Sequence, residues 1–472
     1  VIKDITGIRE NEFNKHEMKT DGKSFSADIK NINKPTFKEA FLFWLKLGFI
    51  SFGGPAGQIA IMHEFVVEKK KWISESKFLH ALNYCMLLPG PEAQQLATYI
   101  GWLLHKTKGG LTAGILFVLP STFILLILSI LYVTYGKIPF VYSMFDGLKP
   151  AVVAIVIVAL IKISRKSLTN FYSYLIAICS FIAIYFFHIP FPFIIISAII
   201  ISFILTLIKP DLFVKENPAK DNIFSDNEEL YYLNKKSLIE HSKPNFKNLS
   251  ITLFTGIILW IIPVLIFNLI SDSDLFWNNL ILFFTKAAFV TFGGAYSVLP
   301  YVAQVSVEQF QWLTKLQMID GLALGETTPG PLIMVLSFTG FMAGYNFFNE
   351  SVFNGTIGLL TTTYYTFLPS FLFIFIGAPF IEKTQHSEKL RSVLNVVTAA
   401  VVGVILNLTV YFAVAVIFPN DISIEGINYF SIVWIIVSFI ALQFYKINMI
   451  KWIAVSAVAG ILWYLINLYL FR

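Results

Sequence analysis

Phe52-Gly53-Gly54 and Pro89-Gly90-Pro91 recur 240 positions later in the chain, as Phe292-Gly293-Gly294 and Pro329-Gly330-Pro331. Working outward at the same offset, Lys46 meets Lys286, Phe49 meets Phe289, Glu68 meets Glu308 and Trp72 meets Trp312, with no gap needed. A single shift of nine then aligns Leu119-Pro120-Ser121 with Leu368-Pro369-Ser370 and Ala151-Val152-Val153 with Ala400-Val401-Val402. One short match would be chance; this many in register mark an internal repeat, which decides the architecture.

The solvent of that repeat is lipid. Of 472 residues, 56% are hydrophobic and only 14% charged, with a mean hydropathy of +0.70, where a soluble domain carries about a quarter charged residues. Stretches such as 111–134, 249–270 and 394–418 contain no Asp, Glu, Lys or Arg and approach the roughly 20 residues that span a hydrocarbon core. Their continuous apolar character excludes a transmembrane β-barrel, whose strands alternate. The net charge of +6 lies mostly in loops and the N-terminal tail, where it orients a membrane protein and gives no argument for nucleic acid. Cys85 and Cys179 both sit in apolar segments and build neither a disulfide framework nor a zinc site. Residues 1–35 are polar and Lys-rich without an apolar core. That argues against a cleaved signal peptide and for a disordered cytoplasmic tail.

Each repeat holds six apolar segments in the same order. The first repeat, 36–208, is followed by a cytoplasmic loop at 209–248, a linking transmembrane helix at 249–270 and the second repeat, 277–472. One extra crossing between two even-numbered repeats turns the second upside down, the plan of many secondary transporters. The expected fold is thus an all-α polytopic membrane protein with two inverted-topology repeats. Loop charges favour the first two segments of each repeat as re-entrant hairpins, because this puts 63–77, with Lys69, Lys70, Lys71 and Lys77, on the cytoplasmic side. The hairpin arrangement gives nine full crossings and four hairpins, with the N-terminus in the cytoplasm and the chain in the inner membrane.

Gly-Gly and Pro-Gly-Pro cannot continue a helix smoothly, so these segments break in mid-membrane. Irregular backbone survives there only where protein or a water-filled cavity satisfies it. Helices restarting after Gly54, Pro91, Gly294 and Pro331 would aim four positive dipole ends and their free N–H groups, with those of Gly53, Gly90, Gly293 and Gly330, at one central region, which favours an anion. The plainer alternative is that these residues merely kink lipid-embedded helices.

Lys46 and Lys286 lie about ten residues into their segments, roughly 15 Å deep, and are expected to supply positive charge for a dianion unless they snorkel or sit in an ion pair. Glu326 precedes Pro329 at the end of a half-helix, where dipole and low dielectric both disfavour a carboxylate; it is the proton-coupling candidate, with a purely structural hydrogen-bonded role beside Thr327 and Thr328 as the alternative. Glu92 follows Pro91 in a first helical turn, where a charged carboxylate is favourable and is expected to cap free N–H groups. Gln94, Gln95 and Thr98 on the next turn offer neutral donors, as Thr327 and Thr328 do near the second break, or else join neighbouring helices. His63, Glu64 and Glu68 belong to the membrane edge, with Trp72 and Trp312 as interfacial anchors. No His/Asp/Glu/Cys cluster has metal or nucleophile spacing and no nucleotide motif is present, so neither an enzyme, a cofactor nor an ATP-driven pump is supported.

These segments resemble the chromate ion transporter family in its bidomain form. The likeness is carried by 52–58, by the run from Leu87 to Gly101 containing Pro89-Gly90-Pro91-Glu92-Ala93-Gln94-Gln95, and by Gly325-Glu326-Thr327-Thr328-Pro329-Gly330-Pro331. It covers about 36–472. The resemblance implies a secondary carrier that exports chromate from the cytoplasm, uses the proton motive force and meets sulfate as a competing dianion. Its partners are then the anion and the lipid bilayer, with a homodimer allowed. Ser337 departs from the family pattern, which carries glutamine there; if that position touches substrate, selectivity changes.

Overall fold

The structure, a computed structural model, describes residues 34–52, 54–208, 230–234, 246–270, 274–381, 388–419 and 421–470. The expected N-terminal tail, Gly53 and most of the 209–248 loop lie outside them. The fold is an all-α polytopic membrane protein, and among the described residues six helices are long and apolar enough to cross a membrane.

The repeated motifs break helices where glycine and proline chemistry requires. In the first half, α1 (Phe37–Ile50) and α2 (Gly54–His63) flank the Gly-Gly break, and α3 (Glu75–Cys85) and α4 (Glu92–Tyr135) flank the Pro-Gly-Pro break. In the second half, α9 (Asp274–Val290) and α10 (Ala295–Gln304), then α11 (Lys315–Thr327) and α12 (Val335–Phe347), repeat the pattern. At 14 residues for α1 and 10 for α2, these arms run about 21 and 15 Å, too short to span about 30 Å of hydrocarbon. In the first half the chain folds back at the break, since Phe43 of α1 packs on Phe65 (5.7 Å) and Trp72 (5.2 Å) beyond α2.

The second hairpin closes inside α4. His105 (φ −136°) and Lys106 (φ 57°) leave the helix, and the chain doubles back so closely that a Cβ on Gly101 would strike the carbonyl of Gly109, and one on Gly114 the hydroxyl of Thr98. Residues 107–135 then cross to the opposite end of the bundle, where Lys137 Nζ lies 3.5 Å from Glu350 at the turn after α12. The equivalent close approach in the second half is Gly340 against Gly358, between α12 and α13 (Val352–Ile381).

The remaining helices are α5 (Pro139–Ser167), α6 (Phe171–Tyr185), α7 (Phe191–Ile208), α8 (Phe246–Ile270), α14 (Glu388–Ile417), α15 (Tyr429–Gln443) and α16 (Met449–Leu470), of which α6, α7 and α15 are shorter apolar helices. The linking helix α8 begins at Phe246, three residues before its expected start, and is little buried by the rest of the bundle. It is held by Trp260 Nε1 donating to Thr285 Oγ1 (3.0 Å) and by Tyr365 Oη donating to the carbonyl of Trp260 (2.8 Å). One piece of the 209–248 loop docks on the first hairpin: the Ser74 amide donates to the Leu233 carbonyl (2.8 Å).

Trp72 and Trp312 are buried, at 4% and 5% exposure, and are not interfacial anchors. A π-helical turn precedes each, Glu64–Lys69 and Val305–Gln309, and folds the chain back so that the Trp72 amide donates to Val66 and that of Trp312 to Ser306, both at 2.8 Å. The indoles pack on Phe43 and on Phe310. At the first of these turns His63 joins Glu68 (3.2 Å) and Glu75 in an ion-pair cluster.

Candidate anion site

The four breaks meet. The Gly90 amide donates to the carbonyl of Thr291 (2.8 Å), and the Gly330 amide to that of Ser51 (2.7 Å). Ser51 and Thr291 are themselves equivalent at the repeat offset, so each Pro-Gly-Pro break satisfies the carbonyl left bare at the end of the other half's first arm. Gly90 (φ 124°) and Gly330 (φ 98°) hold conformations that L side chains rarely adopt. Gln58, 1% exposed, adds a bond from Nε2 to the Gly330 carbonyl (2.5 Å), while its Oε1 is buried without a hydrogen-bond partner.

Between them lies a cavity lined by the first turns of all four restarting helices: Pro55 and Gln58, Pro91 to Ala93, Gly294 and Ala295, and Pro331 to Ile333. Its volume is about 10 Å³, room for roughly one water and too small for a tetrahedral oxyanion without separation of the walls. The residues that start these helices distinguish them. Among the described residues five other helix starts carry a side-chain cap, from Thr36, Ser74, Asn170, Thr314 and Asn428, while α5, which starts after Ile138 with Pro139, carries none. The starts at the cavity have Pro91, Gly294 and Pro331 in the cap position and no side-chain cap. The Ser297 and Met334 amides turn back to the Gly294 and Pro331 carbonyls (3.1 and 2.9 Å), and the remaining first-turn N–H groups and dipole ends stand at the cavity without a side-chain acceptor from the cap residue.

Not every residue singled out in the sequence stands here. The amides of Gly90 and Gly330 are committed to the cross-half bonds, so they are structural donors in this conformation. Gln94 Nε2 donates to Thr98 Oγ1 (3.1 Å) and Gln95 Nε2 to the Pro89 carbonyl (2.8 Å). Thr327 and Thr328 bond back to the carbonyls of Leu324 and Gly325. These four brace the breaks and do not line the cavity. Gly54 and Gly294 stand at its helix starts; Gly293 is exposed beside it, and Gly53 lies outside the described residues. Lys46 and Lys286 are brought to neither the cavity nor each other. Both are exposed, and the Lys46 ammonium runs back to the hairpin mouth, 5.3 Å from the Phe65 ring that Lys69 also covers. Depth along a helix does not say which side a residue faces, and a long lysine stem can carry its ammonium away from the level of its own Cα.

Glu326 is 5% exposed and accepts a hydrogen bond from Tyr296 Oη (2.5 Å), which joins the end of α11 to the first turn of α10. Ser337 bonds Thr363 Oγ1 (2.8 Å) between α12 and α13 and does not line the cavity. Sequence inspection missed a buried charged cluster: Lys149 Nζ lies 2.9 Å from Asp146 and 4.0 Å from Asp320, and Tyr132 Oη donates to Asp320 (2.9 Å). The available signal was Asp146 three residues before Lys149 on the flank of an apolar segment.

The sequence profile of the chromate transporter family matches residues 38–203 and 278–461, one segment in each half. The chain belongs to the chromate transporter family. This family member is 27% identical over 433 residues to an uncharacterised transporter of Methanocaldococcus jannaschii, covering 91% of this chain and 95% of that one. It is 29% identical over 392 residues to the chromate transport protein of Pseudomonas aeruginosa (81% and 83%) and 25% identical over 382 to that of Cupriavidus metallidurans (80% and 83%). No solved structure matches it. As a member of this family the chain is a transport protein and not an enzyme.

Proposed function

We propose that this chromate transporter family member is a secondary active carrier that moves a tetrahedral dianion, chromate, out of the cytoplasm across the inner membrane. Its two repeats lie in the membrane in opposite senses, with the N-terminus cytoplasmic, and bind the anion between them. The observation that carries this is the cavity at the meeting of four helix starts, three of them begun by proline or glycine where five other described helices have a capping side chain. A doubly negative oxyanion supplies acceptors for the first-turn N–H groups that the cap carbonyls leave over. Membership of the family, and the chromate transport proteins among its relatives, point to chromate; sulfate, of the same shape and charge, is the alternative substrate.

Counterflow in proteoliposomes tests this, with chromate, sulfate, molybdate and phosphate compared with and without a pH gradient. Saturable chromate exchange accelerated by the gradient is expected, with sulfate competing. Current without saturable exchange would make the protein an anion channel, and sulfate exchange without chromate exchange would change the substrate.

Glu326 carries the proton in this scheme, since its buried carboxylate joins α11 to α10 across the second break. Glu326→Gln is expected to leave chromate binding intact and to flatten the pH dependence of counterflow; an unaltered pH profile removes Glu326 from coupling. Lys46→Ala and Lys286→Ala, placed on the exposed face, are expected to keep chromate affinity within roughly twofold. A loss of binding in either would return that lysine to the site.

A further inference from the structure

The charged cluster left unused by the anion site joins the two halves. Asp320 comes from α11 of the second half, and Tyr132, Asp146 and Lys149 from α4 and α5 of the first. Asp320 and Lys149 are 5% and 6% exposed, within the apolar bundle. Lys149 Nζ also lies 4.9 Å from the Tyr142 ring, and the Tyr132 ring packs edge-on against Phe145 and Phe338. Asp320 Oδ1 has no hydrogen-bond partner, so the contact to Lys149 at 4.0 Å is a loose one. Buried ion pairs add little stability over apolar packing of the same volume, and their best-attested use is as a switch or register device.

The repeat supplies a comparison. At the two sequence offsets, Asp320 corresponds to His80, Asp146 to Asn395 and Lys149 to Thr398. His80, Asn395 and Thr398 are half-buried, whereas Asp320 and Lys149 are buried. The same difference runs through the central breaks: Glu326, Pro329 and Leu332 are buried, and their counterparts Met86, Pro89 and Glu92 are half-buried. One end of the bundle, that of Lys137 and Glu350, is thus shut down to the cavity, and the His105 end is more open.

We infer that Asp320, Lys149 and Tyr132 form the gate that shuts the central cavity from the Lys137–Glu350 end, and that this gate opens and recloses in each transport cycle. The inference rests on the carrier reading in one respect, that the cavity is reached alternately from two ends. Asp146 holds the Lys149 ammonium from within α5 when Asp320 leaves, so the lysine is not stranded without a partner in apolar surroundings. The polar positions His80, Asn395 and Thr398 are the corresponding closing surface at the other end.

The test is sided labelling with an impermeant maleimide in right-side-out and inverted vesicles, on a Cys85→Ala, Cys179→Ala background. Leu332→Cys, on the cavity wall, reports access from the gated end, and Thr398→Cys access from the other. Asp320→Asn is expected to raise the labelling rate of Leu332→Cys about tenfold and to lower that of Thr398→Cys, as a shifted two-state equilibrium requires. The charge-swapped pair Asp320→Lys with Lys149→Asp is expected to restore slow labelling, which general loosening of the fold would not do. Tyr132→Phe removes one hydroxyl only and serves if Asp320→Asn does not fold; it is expected to shift labelling in the same direction. Unchanged labelling in the folded variants overturns the gate. Labelling needs no substrate, so shifted labelling without chromate counterflow would sink the carrier reading and leave the gate standing.

Discussion

Gly330→Ala is expected to abolish chromate counterflow and to lower the melting temperature of the purified protein. Gly330 holds φ 98°, and a Cβ there would collide with the Ser121 hydroxyl. The strained backbone costs about 1–3 kcal/mol. Loss of the bond to Ser51 adds about 1 kcal/mol and leaves its carbonyl only the long bond from Gln58 Nε2 (3.5 Å). Together these come to about 3 kcal/mol, on the order of a hundredfold in the population of the competent state. Ser121→Gly in the same chain removes the collision but not the backbone strain, so partial recovery is expected. Gly54→Ala is the control: φ is 70°, but nothing lies within 4 Å of the added carbon, so only strain remains and the loss should be smaller. Wild-type transport by Gly330→Ala would show that the two halves do not depend on the exchanged bonds.

The parts of this protein set by local chemistry are legible in its sequence. Glycine and proline fail in helices for reasons internal to the residue, so 52–54, 89–91, 292–294 and 329–331 mark their own breaks, and matching them across the offset implies that they meet. Direction around a helix is not legible in the same way. Depth alone places Lys46 in the membrane, yet its stem turns to the hairpin mouth. Gln94 and Gln95 have the chemistry of donors, yet each donates within its own repeat because the break turns them inward. Trp72 and Trp312 look like anchors because composition places indoles at interfaces; the π-helical turns that bury them leave no simple mark in the sequence. The Asp320–Lys149 contact joins residues 171 positions apart, and no local pattern pairs them.

Glu92→Gln is expected to tighten chromate binding at least about tenfold at alkaline pH and to slow release. Glu92 lines the cavity in the first turn of α4, and its carboxylate reaches to about 4.0 Å from where Gly294 would carry a side chain. With the cavity closed to about 10 Å³, this carboxylate is the anion nearest the uncapped helix starts, and an entering dianion must share or displace it. Charges of −1 and −2 about 5 Å apart repel by about 6–7 kcal/mol at an effective dielectric near 20, several times what a tenfold change requires. Glutamine keeps the volume and the hydrogen-bonding reach, so only the charge is removed. Equilibrium binding to the detergent-solubilised variant separates this from folding and from transport. Weaker binding by Glu92→Gln would mean that the carboxyl group donates a proton to the bound anion, and unchanged binding would mean that the anion sits away from the start of α4.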